Sequence, residues 1–213
     1  NNEAYYTNDE SPISDEEYDH LKDLLKKVDP TNKLLSRIGS PVKVSEWKKA
    51  SHKIPMGSLN KVNTVAEFKN WAKQCNATQF LLSVKLDGIS IDLEYESGKL
   101  IKSITRGDGL EGENILSNVI KMKNVLKTIP EFTGSLRGEI VIHRNDFVQL
   151  NKESEKNGDR VYKNPRNSAS GISKNFDGKY ARFCTVLYYD MVSKDKEFKT
   201  ESEKFLHMSH DLQ

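Results

Sequence analysis

The sequence predicts an α+β fold built on antiparallel sheets, and two observations carry that prediction. Alternating apolar runs separated by short Gly-bearing turns read as hairpin strands. Stretches with apolar residues three and four positions apart, several opened by capping signals, read as amphipathic helices. Hairpins and helices in this order suit antiparallel sheets with helices packed beside them.

The first element is a helix over Asp15–Val28. Ser14 and Glu17 stand at capping-box spacing, and Tyr18, Leu21, Leu24, Leu25 and Val28 repeat at helical spacing. Asp15 and Glu16 place carboxylates at the positive helix end, and Pro30 stops the helix. Residues 29–51, with Gly39, Ser40 and Pro41 among scattered Lys and Ser, read as a linker, and a domain boundary falls near residue 50. Residues 51–60 read as a loop whose His52 is an ordinary surface histidine. Thr64 and Glu67 open a second helix, with Val65, Phe68, Trp71, Ala72 and Cys75 on one face.

Residues 80–82 and 89–93 read as strands on either side of Lys85-Leu86-Asp87-Gly88. A turn at 96–99 and a partner strand at 100–105 complete a hairpin that ends in Arg106-Gly107-Asp108-Gly109. A short helix follows at 113–123, with Ile115, Leu116, Val119 and Ile120 inward. Then come a strand at 135–142 and a helix at 144–156 packing Phe147 and Leu150. A polar, turn-rich stretch covers 164–171, an apolar strand covers 183–191, and Thr200 and Glu203 cap a last helix.

Composition excludes several classes. The 213 residues, 36% hydrophobic and 30% charged, suffice for one large domain or one domain with a small appendage. A net charge of +2 permits nucleic-acid binding without arguing for it. Cys75 and Cys184 stand far apart and outside C-x-x-C spacing, so they read as buried thiols of a reduced compartment, not as a disulfide or zinc framework. Neither a membrane-length apolar stretch nor a secretory h-region is present, so no membrane partner is expected and the location reads as cytoplasmic.

The chemistry centres on Lys85. A lysine at a strand end before an Asp-Gly turn can be partly desolvated, which favours the neutral, nucleophilic amine, and Gly88 lets a backbone or ligand come close. Read alone, Lys-x-Asp-Gly fits an ordinary hairpin equally well. Arg106 at a strand end can direct a fork of donors at phosphate or ribose. The Arg106-Gly107-Asp108 triplet is not an adhesion signal in a chain without secretory features. Gly138 within a strand marks a close approach of ligand or backbone.

Taken together, Lys85-Leu86-Asp87-Gly88, Thr105-Arg106-Gly107-Asp108-Gly109, Arg137-Gly138-Glu139 and Asn164-Pro165-Arg166-Asn167 closely resemble the ordered motifs of NAD-dependent DNA ligases. Tyr5, Asp9, Pro12, Asp15, Tyr18 and Asp19 match that family's N-terminal subdomain. The resemblance implies a helical nicotinamide-mononucleotide-binding subdomain and linker over 1–50. Over 51–213 it implies the first part of an ATP-grasp-like, antiparallel-sheet nucleotidyltransferase domain, incomplete at its C-terminal side. It implies that Lys85 attacks the α-phosphorus of NAD, releases nicotinamide mononucleotide and carries AMP to the 5′-phosphate of a DNA nick, with Mg²⁺ assisting. The nucleotide contacts it implies are Tyr5, Tyr6, Asp9, Asp15, Glu16, Glu17, Tyr18 and Asp19 on the nicotinamide side. On the adenylate side they are Ser58, Leu59, Ser83, Leu86, Asp87, Arg106, Glu139 and Tyr189. Arg166 and Lys174 would meet the nicked double-stranded DNA. No protein metal site is expected.

The sequence departs from the family at Ser83, where Glu is usual, at Tyr6 for His, at Gly57 for Leu and at Asp190 for Gly. Two further lysine-bearing motifs of the family do not occur before Gln213, so an excised remainder or a second polypeptide is expected to complete the domain and to be needed for nick sealing. Two other readings stay open: an ATP-dependent polynucleotide ligase or capping relative, and a non-catalytic nucleotidyltransferase-like binding subunit.

Overall fold

The computed structural model describes residues 14–36, 47–193 and 196–211. Two sheets form. Lys49–Ser51 (β1) pairs antiparallel with Glu111–Glu113 (β4). Ile89–Glu96 (β2), Lys99–Thr105 (β3), Gly134–Val141 (β5) and Thr185–Ser193 (β6) make a larger sheet, antiparallel throughout, in the order β3-β2-β5-β6. The helices are Asp15–Val28 (α1), Lys33–Ser36 (α2), Val65–Gln74 (α3), Leu116–Val119 (α4), Arg144–Lys156 (α5), Pro165–Ser173 (α6) and Glu201–Asp211 (α7), with a 3₁₀ turn at Ala181–Phe183. The antiparallel α+β reading therefore holds.

The sheet's period of two separates its faces. Ile91, Leu93 and Tyr95 of β2 share one face with Leu136 and Ile140 of β5 and Val186 and Met191 of β6. All are buried, in one cluster with Ile115, Val119, Leu150, Ala169 and Ile172 from α4, α5, α6 and their flanks. Each such side chain contributes about 1.5–3 kcal/mol by burial, so the helix-covered face holds the fold. Tyr95 stays inside because its hydroxyl donates to the Leu126 carbonyl at 2.6 Å. Trp47 stacks on Phe176 at 4.7 Å and donates to the Lys174 carbonyl at 2.8 Å, which fastens the start of this region to the end of α6.

The opposite face is polar. Ser90, Asp92 and Glu94 alternate with the core residues of β2 and lie across from Glu139, Arg137 and Ser135 of β5. On β6 the register shifts: Arg137 pairs with Asp190 while Gly138 pairs with Tyr188, so Tyr189 is the extra residue of a β-bulge.

Several expectations are corrected. Residues 80–82 are not a strand: among the described residues no strand lies alongside them, and Leu82 and Val84 are 96% and 84% exposed. Phe80 instead meets Phe68 and Trp71 of α3 at 6.3 and 5.4 Å, and α3 buries none of its residues. Residues 164–171 form most of α6, because Asn164 caps it through the Arg166 and Asn167 amides and Pro165 occupies its first turn. The expected helix at 113–123 reduces to α4, with β4 before it. A single helical turn, α2, interrupts the predicted linker. Cys184 is buried as expected, but Cys75 is exposed. His52 is buried, not a surface residue, because it finds partners on two other strands.

Candidate functional site

The site is built on the polar sheet face where β2 and β5 run together. Ser90 and Glu139 are register partners, so both side chains rise from one spot. Glu139 accepts from the Gly88 amide at 3.2 Å through Oε1 and from the Ser90 hydroxyl at 2.9 Å through Oε2. Burial pushes its carboxyl above the usual range; the Ser90 hydrogen bond, the Lys85 charge, the Gly88 amide and the Arg166 charge oppose that rise. Gly88 is required here: a Cβ on it would stand 2.1 Å from the Ile140 carbonyl oxygen.

Lys85 lies just before this corner and is exposed, in contrast to the partly desolvated amine expected. Asp87 pairs with Arg166 Nη1 at 3.1 Å, so the first turn of α6 faces the Lys85–Gly88 segment. Tyr189 follows core-facing Tyr188 and so sits on the same polar face, where the bulge keeps Asp190 beside it and returns Met191 to the core. Burial raises its phenol above the ordinary value; Ser90 and Arg137 lower it, and the Glu139 and Asp190 charges add to the rise. Arg106 joins through its backbone, its amide donating to the Ser90 carbonyl at 3.2 Å. Its turn depends on Gly107, whose φ is +57° and whose Cβ would stand 1.9 Å from the Glu111 carbonyl oxygen.

The structure thus gathers Lys85, Asp87, Arg106, Glu139, Arg166 and Tyr189, with Leu86 half-buried beside them and Ser83 exposed. Ser58 and Leu59 are exposed on the 52–63 stretch, away from regular structure. Lys174 is at the far end of α6 and pairs with buried Glu113 at 2.8 Å, apart from Arg166. On α1, Glu17 is engaged in the predicted capping box with Ser14, and Tyr18 is half-buried. Asp19 forms an ion pair with Lys61, which ties α1 to the stretch that carries Ser58 and Leu59. Tyr5, Tyr6 and Asp9 lie outside the described residues, as do the side chains of Asp15 and Glu16.

Three residues of this face were not singled out as site residues from the sequence: Ser90, His52 and Arg137. A usable signal existed for Ser90, since polar residues alternating inside an apolar strand mark a second, functional face. Among the described residues no three His, Cys, Asp or Glu side chains converge as a metal cage. A cation with mainly phosphate ligands needs only one or two carboxylates, and Asp87 and Glu139 fit that demand. No helix among the described residues is long and apolar enough to cross a membrane. An amine, the Arg166 guanidinium and two carboxylates around one strand end suit attack on a phosphate ester, with a cationic donor for its oxygens.

The family profile described as NAD-dependent DNA ligase adenylation domain matches residues 44–212. A DNA ligase of Sorangium cellulosum is 39% identical over 206 residues, covering 84% of this chain and 29% of the relative. A DNA ligase of Fusobacterium nucleatum is 34% identical, with 96% and 32% covered, and one of Campylobacter lari is 38% identical, with 87% and 30% covered. The chain therefore spans about 30% of the length of these curated relatives.

Proposed function

The chain belongs to the NAD-dependent DNA ligase adenylation-domain family, and from that premise we propose that Lys85 is the residue that takes AMP from NAD. The observation that supports this most directly is the corner just after Lys85, where Asp87 pairs with Arg166 at 3.1 Å and the Gly88 amide donates to buried Glu139 at 3.2 Å.

In this reading the Lys85 Nζ lone pair forms a bond to the α-phosphorus of NAD. The bond from that phosphorus to the bridging pyrophosphate oxygen breaks, and nicotinamide mononucleotide departs with the electron pair. The amine proton passes to solvent, to which exposed Lys85 is open. Arg106 and Arg166 bind phosphate oxygens, while Glu139 and Asp87 orient the ribose and the Lys85 segment. Tyr189, Ser58, Leu59, Leu86 and Ser83 line the adenosine side. Asp87 and Glu139 are the residues that would hold a Mg²⁺ ion, which would supply charge neutralisation at the transferring phosphorus. The nicotinamide half is assigned to Tyr5, Tyr6, Asp9 and residues 15–19 of a 1–50 subdomain, and the link between Asp19 and Lys61 supports a subdomain that closes over the same nucleotide.

Transfer of AMP to the 5′-phosphate of nicked duplex DNA, and sealing, are proposed for a whole ligase and not for these residues alone. Arg166 and Lys174 are assigned to the DNA backbone in that setting, where they would exchange their carboxylate partners for phosphates. The relatives carry their full length on one polypeptide, which favours that arrangement over a second subunit. A role in DNA replication and repair follows, and the free thiols Cys75 and Cys184 support a reducing, cytoplasmic setting.

The test is intact mass after incubation with NAD and Mg²⁺, with ATP as the alternative donor and Lys85→Ala alongside. A gain of one AMP from NAD only, abolished in Lys85→Ala, is the expected result. Label retained in the variant would move the nucleophile elsewhere, and label from ATP alone would replace NAD as donor.

A further inference from the structure

We infer that His52 is a positioning residue whose buried ring holds the Ser58–Leu59 stretch, the Arg106 turn and β2 in one arrangement. What those groups then do rests on the adenylation reading above; the fastening itself does not.

The His52 side chain is 0% exposed. Its Nε2 faces two carbonyl oxygens, Thr105 at 3.1 Å and Arg106 at 3.2 Å, so that nitrogen carries a proton and donates to them. Its Nδ1 stands 3.2 Å from Asp92 Oδ2, and the other oxygen of Asp92 accepts from the Ser135 hydroxyl. One ring thus links its own segment to the end of β3 and the middle of β2, with β5 behind. Backbone bonds repeat the link: the His52 amide donates to the Leu110 carbonyl at 2.9 Å and the Met56 amide to the Gly109 carbonyl at 2.8 Å.

A second fastening lies further along. Arg137, the cross-strand neighbour of Asp92, donates from Nη2 to the carbonyls of Ile54 at 2.8 Å and Pro55 at 3.3 Å. Met56 is buried beneath. Residues 52–56 are therefore pinned at both ends, and Ser58 and Leu59 emerge immediately after, exposed. An exposed binding stretch that leaves a fixed base is preorganised, so its ordering is not charged against ligand affinity. The same ring fixes the Arg106 carbonyl, and so the position from which that guanidinium starts. Loss of the ring should therefore weaken NAD binding more than it slows the chemical step.

The two ring nitrogens permit a split test, because a glutamine amide extends to the place of Nε2 and an asparagine amide to that of Nδ1. Wild type, His52→Ala, His52→Gln and His52→Asn are compared by amide hydrogen exchange and by NAD-dependent AMP transfer at varied NAD. In His52→Ala the amides of Met56, Arg106 and Gly109 should exchange about tenfold faster, with those of Leu136 and Ile140 unchanged. The NAD concentration that half-saturates single-turnover adenylation should rise about tenfold, with the maximal adenylation rate within about threefold. Gln should restore both readouts better than Asn, and both conservative variants fold if Ala does not. Acceleration spread evenly through β5 and β6, unchanged local exchange, or a fall in the maximal adenylation rate at constant half-saturating NAD would each overturn the inference. Absence of AMP transfer in wild type would sink the adenylation reading, while the exchange pattern would still decide the role of His52.

Discussion

Glu139 carries two opposed requirements. Its burial disfavours the charged carboxylate, while Ser90, Gly88 and the charges of Lys85 and Arg166 favour it, and burial is the larger effect. A carboxyl raised in the folded state is protonated at a pH where the unfolded chain has already lost that proton. Between those two points the folded state binds more protons, so stability falls as pH rises through the window and the cost is fully present above it. Glu139→Gln removes this dependence while keeping one acceptor. It is expected to cost about 1 kcal/mol at pH 5, for the lost hydrogen bond, and less at pH 8. Urea denaturation at the two pH values checks this. A gap that widened toward pH 8 would mean that Lys85 and Arg166 outweigh burial. AMP transfer should fall about tenfold or more in the same variant if Glu139 has the orienting role proposed for it.

At the scale of elements, α6 decides where Arg166 sits. Asn164 accepts from the Arg166 amide at 2.8 Å and the Asn167 amide at 3.2 Å, and Ser168 donates back to the Asn164 carbonyl at 2.5 Å. The inner side of the helix buries Ser168, Ala169, Ile172 and Ser173, which leaves Arg166 turned toward Asp87. Asn164→Ala should cost about 1 kcal/mol, a drop of about 2–4 °C in Tm for a chain of this size, and Asn164→Asp should recover it. An unchanged Tm in Asn164→Ala would mean that packing alone orders the first turn. The capping boxes at Ser14 and Thr64 were legible because cap and partner are three residues apart and followed by helical periodicity. The Asn164-Pro165 start was equally local, but the small polar residues after it lack an apolar period and read as a turn. β1 and β4 escaped because three residues carry no pattern, and their pairing joins segments far apart in sequence.

At the scale of the whole molecule, residues marked by local motifs were legible and residues defined by distant partners were not. Lys85, Asp87 and Glu139 stand in short motifs, whereas His52 gains its role from Asp92 and Thr105, 40 and 53 positions away. The same division separates the two apolar populations. Residues on one side of the β3-β2-β5-β6 sheet meet the helices and are fully buried, as Leu150 is. Phe68, Trp71, Phe80 and Leu82 have comparable hydrophobicity but remain 45%, 37%, 47% and 96% exposed. The sequence could not tell these groups apart, because both carry acceptable helix or strand periods and only the sheet's geometry chooses which face is covered. The energies should differ sharply. Leu150→Ala leaves a cavity in close-packed surroundings and is expected to cost about 2–5 kcal/mol. Leu82→Ala removes a side chain that is already in water and should lie within about 0.5 kcal/mol of wild type. Denaturant midpoints at unchanged m read both values directly. A cost at Leu82 approaching that at Leu150 would show that residues 80–86 are packed in solution, and that the stabilising core extends to a second face of the protein.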